Sequence, residues 1–338
     1  MNSIREILLI LILAVLISGN YNHLNAFEKN GLTIKVIVLN FDPLIPEREN
    51  KQLHLVYGWN DPRKLAEEYI SDIKDVSRGY INYKIVEWND LNVFPAKIDG
   101  YVYTSAEFID CWEKKSKWHQ PDSVDYEKIA VDYDLIKKIN NDEIDEVWIF
   151  GAPYFGYWES AMLGPGAFYI NGGIYDRVPS NKPFVVMGFN YERGVAEMIH
   201  DLSHRTESTM TRIYGGWAID QLTTTWAKFA ANEFQSNSLS AVGTCHYPPN
   251  GERDYDYKNP RSVRSNANDW LNFPFFKGDT ITVNCETWGG PDYHRNYMKW
   301  WFSRLPNASG VYSDGRLNNW WEYVFNYNKY DETGKQKN

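Results

Sequence analysis

The chain carries little cysteine, little histidine and no excess of positive charge. Its 338 residues include three cysteines and seven histidines. Three cysteines are too few for a disulfide-built scaffold, and no Cys-x-x-Cys pair is present to suggest a thiolate zinc finger or a redox motif. Lys and Arg number 35 against 44 Asp and Glu, a net charge of -9, and no basic run interrupts the sequence. A nucleic-acid partner is therefore not expected. The sequence also has no Gly-x-Ser-x-Gly elbow, no phosphate-binding glycine loop, no internal repeat and no low-complexity linker. Those absences remove the common signatures of serine hydrolases, nucleotide-binding enzymes and solenoids.

Aromatic side chains, by contrast, are abundant: 16% of the chain, with 14 Trp and 24 Tyr. They cluster with polar residues in Gly151–Glu159, at Trp300-Trp301 and in Asn318-Asn-Trp-Trp321. Such clusters suit sugar platforms and equally suit a large core whose indoles and phenols each find one hydrogen bond. At the N-terminus Arg5 precedes an apolar run, Ile7–Ile17, of the length of a secretory signal and too short to span a bilayer. Residues 1–26 are expected to be that signal, which makes the mature protein extracellular, with no membrane association after cleavage. In an exported protein Cys245 and Cys285 could pair, stabilising by roughly 3–4 kcal/mol, with Cys111 left over; other pairings, or none, are also allowed.

Periodicity gives the organisation. Leu32–Asn40 reads as a buried strand, Asp61-Pro62 starts a helix that runs to about Val76, and Tyr80–Trp88 alternates as a second strand. A helix over Tyr126–Ile139, a strand over Glu146–Phe150 and a strand over Phe184–Phe189 follow, and a helix is expected near Asp220–Phe234. Alternating strands and helices predict an α/β fold, with α+β as the alternative. A single domain is expected over 27–330, α/β to about 235 and loop-rich and aromatic from 236 to 330, with a last short helix near Asn319. Residues 331–338 read as a flexible tail.

The densest chemistry lies in Glu197-Met-Ile-His200-Asp201-Leu-Ser-His204-Arg-Thr-Glu207. Val195, Met198, Ile199, Leu202, Met210 and Ile213 gather on one side of a helix, and Glu197, His200, Asp201 and His204 on the other. Asn190 is the expected N-cap, with Glu192 in the first turn. Histidines at i and i+4 lie one turn apart on one face, the spacing that lets two imidazoles share a zinc ion. A solvated face of i, i+4 ion pairs is the alternative, but such faces are usually built from Lys and Glu. His246, in Gly243-Thr-Cys-His-Tyr-Pro-Pro, is the candidate third ligand; Glu197, Asp220, Asp254 and Asp256 are weaker ones, and His294 is the remaining downstream histidine.

This helix resembles the active-site helix of zincin metallopeptidases, His-Glu-x-x-His, in which both histidines bind zinc and the Glu is the general base. The preceding order of helix, strand and strand is similar too. The resemblance implies a zincin-like core, zinc as cofactor, His200, His204 and His246 as ligands, and Asp201, in the position of the Glu, as base. Asp201 is one methylene shorter than the family residue, and the Gly and third His of metzincins are replaced by Arg205-Thr-Glu207. Glu197, one turn before His200, is the alternative base. Gly151–Glu159, Asp269–Pro274 and Leu317–Trp321, together with this helix, resemble secreted bacterial proteins without a characterised function, a similarity that covers nearly the whole mature chain. The expected activity is that of a secreted zinc-dependent hydrolase acting on a peptide bond, with a carbohydrate-binding or carbohydrate-cleaving protein as the competing expectation.

Overall fold

A computed structural model describes residues 31–115, 117–217, 220–236 and 239–337. The apolar run at 7–17 and the whole expected signal, residues 1–26, lie outside them. Residues Thr33–Asn338 cluster as one compact unit. Among the described residues no helix is long and apolar enough to cross a membrane.

The principal strands and helices alternate, several of them where the periodicity predicts. They are β1 (Leu32–Phe41), α1 (Pro62–Val76), β2 (Ile81–Leu91), α2 (Ser105–Lys114), α3 (Tyr126–Asp132), α4 (Leu135–Asn140), β3 (Glu146–Gly151), β4 (Ser160–Leu163), β5 (Ile174–Tyr175), β6 (Phe184–Asn190), α5 (Val195–Tyr214), α6 (Thr225–Ala230), α7 (Tyr293–Phe302) and α8 (Trp320–Phe325). A six-stranded sheet has the order β2-β1-β3-β6-β4-β5. The β1–β3, β3–β6 and β4–β5 pairs are parallel, and β4 runs antiparallel to β6. This is the α/β class. Every residue of β3 is buried, as an inner strand covered on both faces must be.

Local chemistry sets the boundaries. The Asp61 carboxylate accepts the Arg63 and Lys64 amides at 2.8 and 3.4 Å, and Pro62 opens α1 where no amide is needed. The single helix expected over Tyr126–Ile139 is two helices, because Asp134 takes a left-handed conformation, φ 53°, and interrupts the ladder. The helix expected near Asp220–Phe234 shortens to Thr225–Ala230, where the Thr224 hydroxyl caps the Ala227 amide at 3.0 Å and Ala231 turns extended. Asn190 does not cap α5. It accepts the Glu192 amide at 2.9 Å in a turn before the helix, which begins at Val195 with Glu197 accepting the Gly194 amide at 3.2 Å.

Helix α5 packs against α1, α7 and α8. Its rotation on the sheet is set by a buried ion pair, Arg205 Nη1 to Glu146 Oε2 at 2.6 Å. Arg205 Nη2 also donates to the Val324 carbonyl at 3.0 Å, and Trp148 Nε1 donates to Glu146 Oε1 at 2.9 Å. The stripe with the histidines therefore faces away from the sheet but not into solvent. His200 and Asp201 are buried, and so are Ser203, Thr206 and Glu207. The solvated-face alternative fails because the C-terminal third covers this side.

That third is more ordered than a run of loops. Asp292 caps α7 through the Arg295 amide at 2.9 Å, and Arg295 and Lys299 clamp the buried Asp72 of α1 at 2.7 and 2.5 Å. After Asp331, the segment read from composition as a tail turns back, with the Asp331 amide donating to the Lys335 carbonyl at 2.9 Å and a bridge between Tyr330 and Gln336. The described cysteines are all free. The possible Cys245–Cys285 bridge is not formed, because Cys245 Sγ points to His204 and Glu207 while Cys285 Sγ sits by Glu286.

Candidate metal centre

Three segments far apart in sequence meet on the covered face of α5: the helix itself, the loop Gly243–Tyr247 and the first turn of α7. The main chain of the loop is held by aromatic side chains. Tyr297 Oη donates to the Thr244 carbonyl at 2.7 Å, Trp301 Nε1 to the Gly243 carbonyl at 2.9 Å and Tyr257 Oη to the Cys245 carbonyl at 2.6 Å. Gly243 sits at φ 84° with Tyr247 O only 2.4 Å from where a Cβ would stand, so the loop requires glycine there.

Held in this way, the imidazoles converge. His200 Nε2 lies 3.0 Å from His204 Nε2, and His246 Nε2 lies 3.1 Å from the same atom. Zinc–nitrogen bonds of about 2.0–2.1 Å in a tetrahedron place ligand nitrogens roughly 3.3 Å apart, so the spacing fits one ion. His200, His204, Cys245 and His246 each offer a ligand atom, all within 4.8 Å of one another, an arrangement compatible with a metal ion.

The opposite nitrogens of the same rings face outward to polar partners. His200 Nδ1 meets His294 Nε2 at 3.1 Å and Tyr257 Oη at 3.4 Å. His246 Nδ1 lies 3.4 Å from Asp254, and His204 Nδ1 is 3.9 Å from Glu207 and 3.5 Å from Cys245 Sγ. The Cys245 sulfur is nearer this outward nitrogen than Nε2, at 3.9 Å, and its thiol donates to Glu207 Oε2 at 3.1 Å. Its position is that of a buttress to His204.

Burial fixes the protonation states that a metal needs. It depresses His200 to about 2, with the neighbouring imidazoles of His204, His294 and His246 adding to the effect, and His204 to about 4. Burial lowers His246 too, against the pull of Asp254. Neutral imidazoles have free lone pairs. Burial also raises Glu207 to about 7 despite the Cys245 bonds, and raises Glu159 against the Asn171 amide. Asp201 is raised well above the usual carboxylate range by burial first and then by Glu159 and Glu197.

The sequence candidates are thus partly gathered. His200, His204 and His246 come together as expected. Asp254 stands behind His246, and Asp256 is tied to Arg253 and the Glu252 amide instead. Asp201 and Glu197 line a cavity of ≈ 400 Å³ beside the imidazoles. Glu197 is already engaged: it holds the Gly194 amide and lies 3.8 Å from Arg193 and 4.0 Å from His294. Residues not foreseen as parts of this site are Glu159, whose Oε2 is 3.8 Å from His204 Nε2, together with Cys245, Glu207 and Tyr257. His294, which has no ligand-like spacing in the sequence, joins the site through His200. Pro291-Asp292 as a helix start, followed by Tyr297, Met298 and Trp301 at helical spacing, was the signal that places it on a helix.

No protein-family model, curated protein or solved structure matches this chain.

Proposed function

We propose that this protein is a secreted zinc-dependent hydrolase with a zincin-like core, acting on a peptide bond. The observation that carries the reading is the division of the three rings: every Nε2 points to one common space, and every Nδ1 faces a partner that can orient the ring. Metal-binding histidines are built this way, with the second nitrogen fixed by a carboxylate, carbonyl or similar group. His200, His204 and His246 would hold the ion. A divalent ion there supplies Lewis acidity, polarising a carbonyl and making water more acidic.

Glu159 is the carboxylate nearest the converging nitrogens and takes the role of proton acceptor. It removes a proton from water as the oxygen bonds to the scissile carbonyl carbon, and returns it to the departing amine. Glu197 positions His294 and, through it, His200. Asp201, where the zincin pattern has its base, forms no hydrogen bond or ion pair within the described residues and opens on the adjoining cavity. The carbohydrate reading draws less support, since Trp148, Trp226, Trp301, Trp320 and Trp321 are fully buried.

Elemental analysis and zinc titration test the core of the proposal. One ion per chain is expected, lost in His204→Ala, together with cleavage of an unstructured protein substrate that depends on the ion. A wild-type chain that neither retains zinc nor takes it up on titration rules the reading out.

A further inference from the structure

The cavity beside the imidazoles is lined by a carboxyl that has no hydrogen-bond or ion-pair partner among the described residues. Most of its ionisable lining is already paired. Asp122 receives Lys97 Nζ at 2.5 Å, and Arg193 lies between Glu192 at 3.2 Å and Glu197 at 3.8 Å. Asp201 is different. It is 8% exposed, lines the cavity, and has no hydrogen bond or ion pair with any described residue.

An ionised carboxylate taken out of water is unfavourable unless a cation comes with it. Arg193, the cation that acts on Asp201 from the same wall, is shared with Glu192 and Glu197, so the carboxyl faces the open space with no ion pair of its own and is arranged for a counter-charge from outside. The walls suit an organic cation: Tyr154, Tyr157 and Tyr255 line them, and aromatic faces attract ammonium and guanidinium groups. Glu159, with its side chain 44% exposed, adds negative potential between the cavity and the imidazoles. A volume of ≈ 400 Å³ holds one side chain and its adjoining backbone.

We infer that this cavity is a substrate subsite for a cationic nitrogen, the guanidinium or ammonium of a basic side chain or a free amino terminus, received by Asp201. The inference rests on the hydrolase reading and names its substrate class: peptides with a positive charge beside the bond to be cut. Asp201 is then an anchor for substrate rather than the proton acceptor.

Calorimetric titration of the full chain as purified, with bound zinc counted in the same sample, tests it. The probes are benzamidine and benzylamine, which carry the two kinds of cationic nitrogen, and neutral benzamide. At least one cation is expected to bind ten times or more tighter than benzamide. The preference should shrink with added salt, disappear in Asp201→Asn and survive in His204→Ala. Equal binding of cations and benzamide by the wild-type chain overturns the inference without recourse to any variant. So does a preference that persists in Asp201→Asn, or one that vanishes in His204→Ala, which would place the probes at the ion instead. A second zinc equivalent per chain that is lost in Asp201→Asn makes the cavity a metal site and overturns it too. Absence of zinc with the cation preference intact would count against the hydrolase reading alone.

Discussion

Helix α5 buries two residues of opposite charge one turn apart, and the protein treats them differently. Arg205, 1% exposed, meets Glu146 at 2.6 Å and the Val324 carbonyl at 3.0 Å, with its guanidinium 4.8 Å from the Phe325 ring. Asp201, 8% exposed, has no hydrogen bond or ion pair among the described residues. On the sheet side, the charge is matched from within and the helix is locked in register. On the other side, the imidazoles have polar partners at Nδ1 while their Nε2 atoms converge on one another. Burial alone therefore does not separate structural from functional polar residues. Whether the buried group has found its partner does.

The largest way to test that contrast is Arg205→Met, which leaves Glu146 buried and unpaired. Chemical denaturation should show a loss of roughly 3–5 kcal/mol, largely recovered by adding Glu146→Leu, because an apolar pair removes the orphaned charge. A loss below about 1 kcal/mol would mean that the ion pair does not lock the helix. Next come the groups behind the imidazoles. Asp254→Asn and Tyr257→Phe should each weaken zinc binding by about 10–100-fold in competition with a chromophoric chelator, with the stoichiometry unchanged. Unaltered affinity in both would remove the orienting role. Cys245→Ser sharpens the same point: cobalt-substituted wild-type protein should lack thiolate charge-transfer absorption, and a thiolate band would move Cys245 into coordination and close the site. The smallest effect belongs to Asp201→Asn. Thermal unfolding should show no loss of stability and a gain of up to about 1 kcal/mol, since no partner is deserted; a loss of 2 kcal/mol or more would reveal one.

Much of this was legible from residue order. β1, β3, β6 and α1 lie where apolar runs and the Asp61-Pro62 cap put them, and His200, His204 and His246 are the residues that converge. What could not be read was direction. A polar stripe such as Glu197, His200, Asp201 and His204 has the same periodicity whether it meets water or a second layer of protein, and only the packing of α7 and the Gly243–Tyr247 loop decides. For the same reason Glu197, which looked like a base, is occupied by the start of its own helix, while Glu159, outside any motif, stands nearest the imidazoles. The break at Asp134 escaped notice because one residue in a left-handed conformation leaves no mark on hydrophobic periodicity.

The aromatic clamps on the loop have a bearing on when the site comes into being. His200 and His294 are separated by 94 positions, and the loop that presents His246 is fixed by Tyr297 and Trp301 of α7. A chain made from its N-terminus exposes both helix histidines long before α7 exists. Two imidazoles one turn apart are a weak trap for an ion; three, with their orienting partners, are a strong one. On the proposed reading, metal capture is a late event in folding, contingent on closure of these long-range contacts. A chain truncated before Asp292 should carry the His-Asp-x-x-His helix and fail to hold zinc.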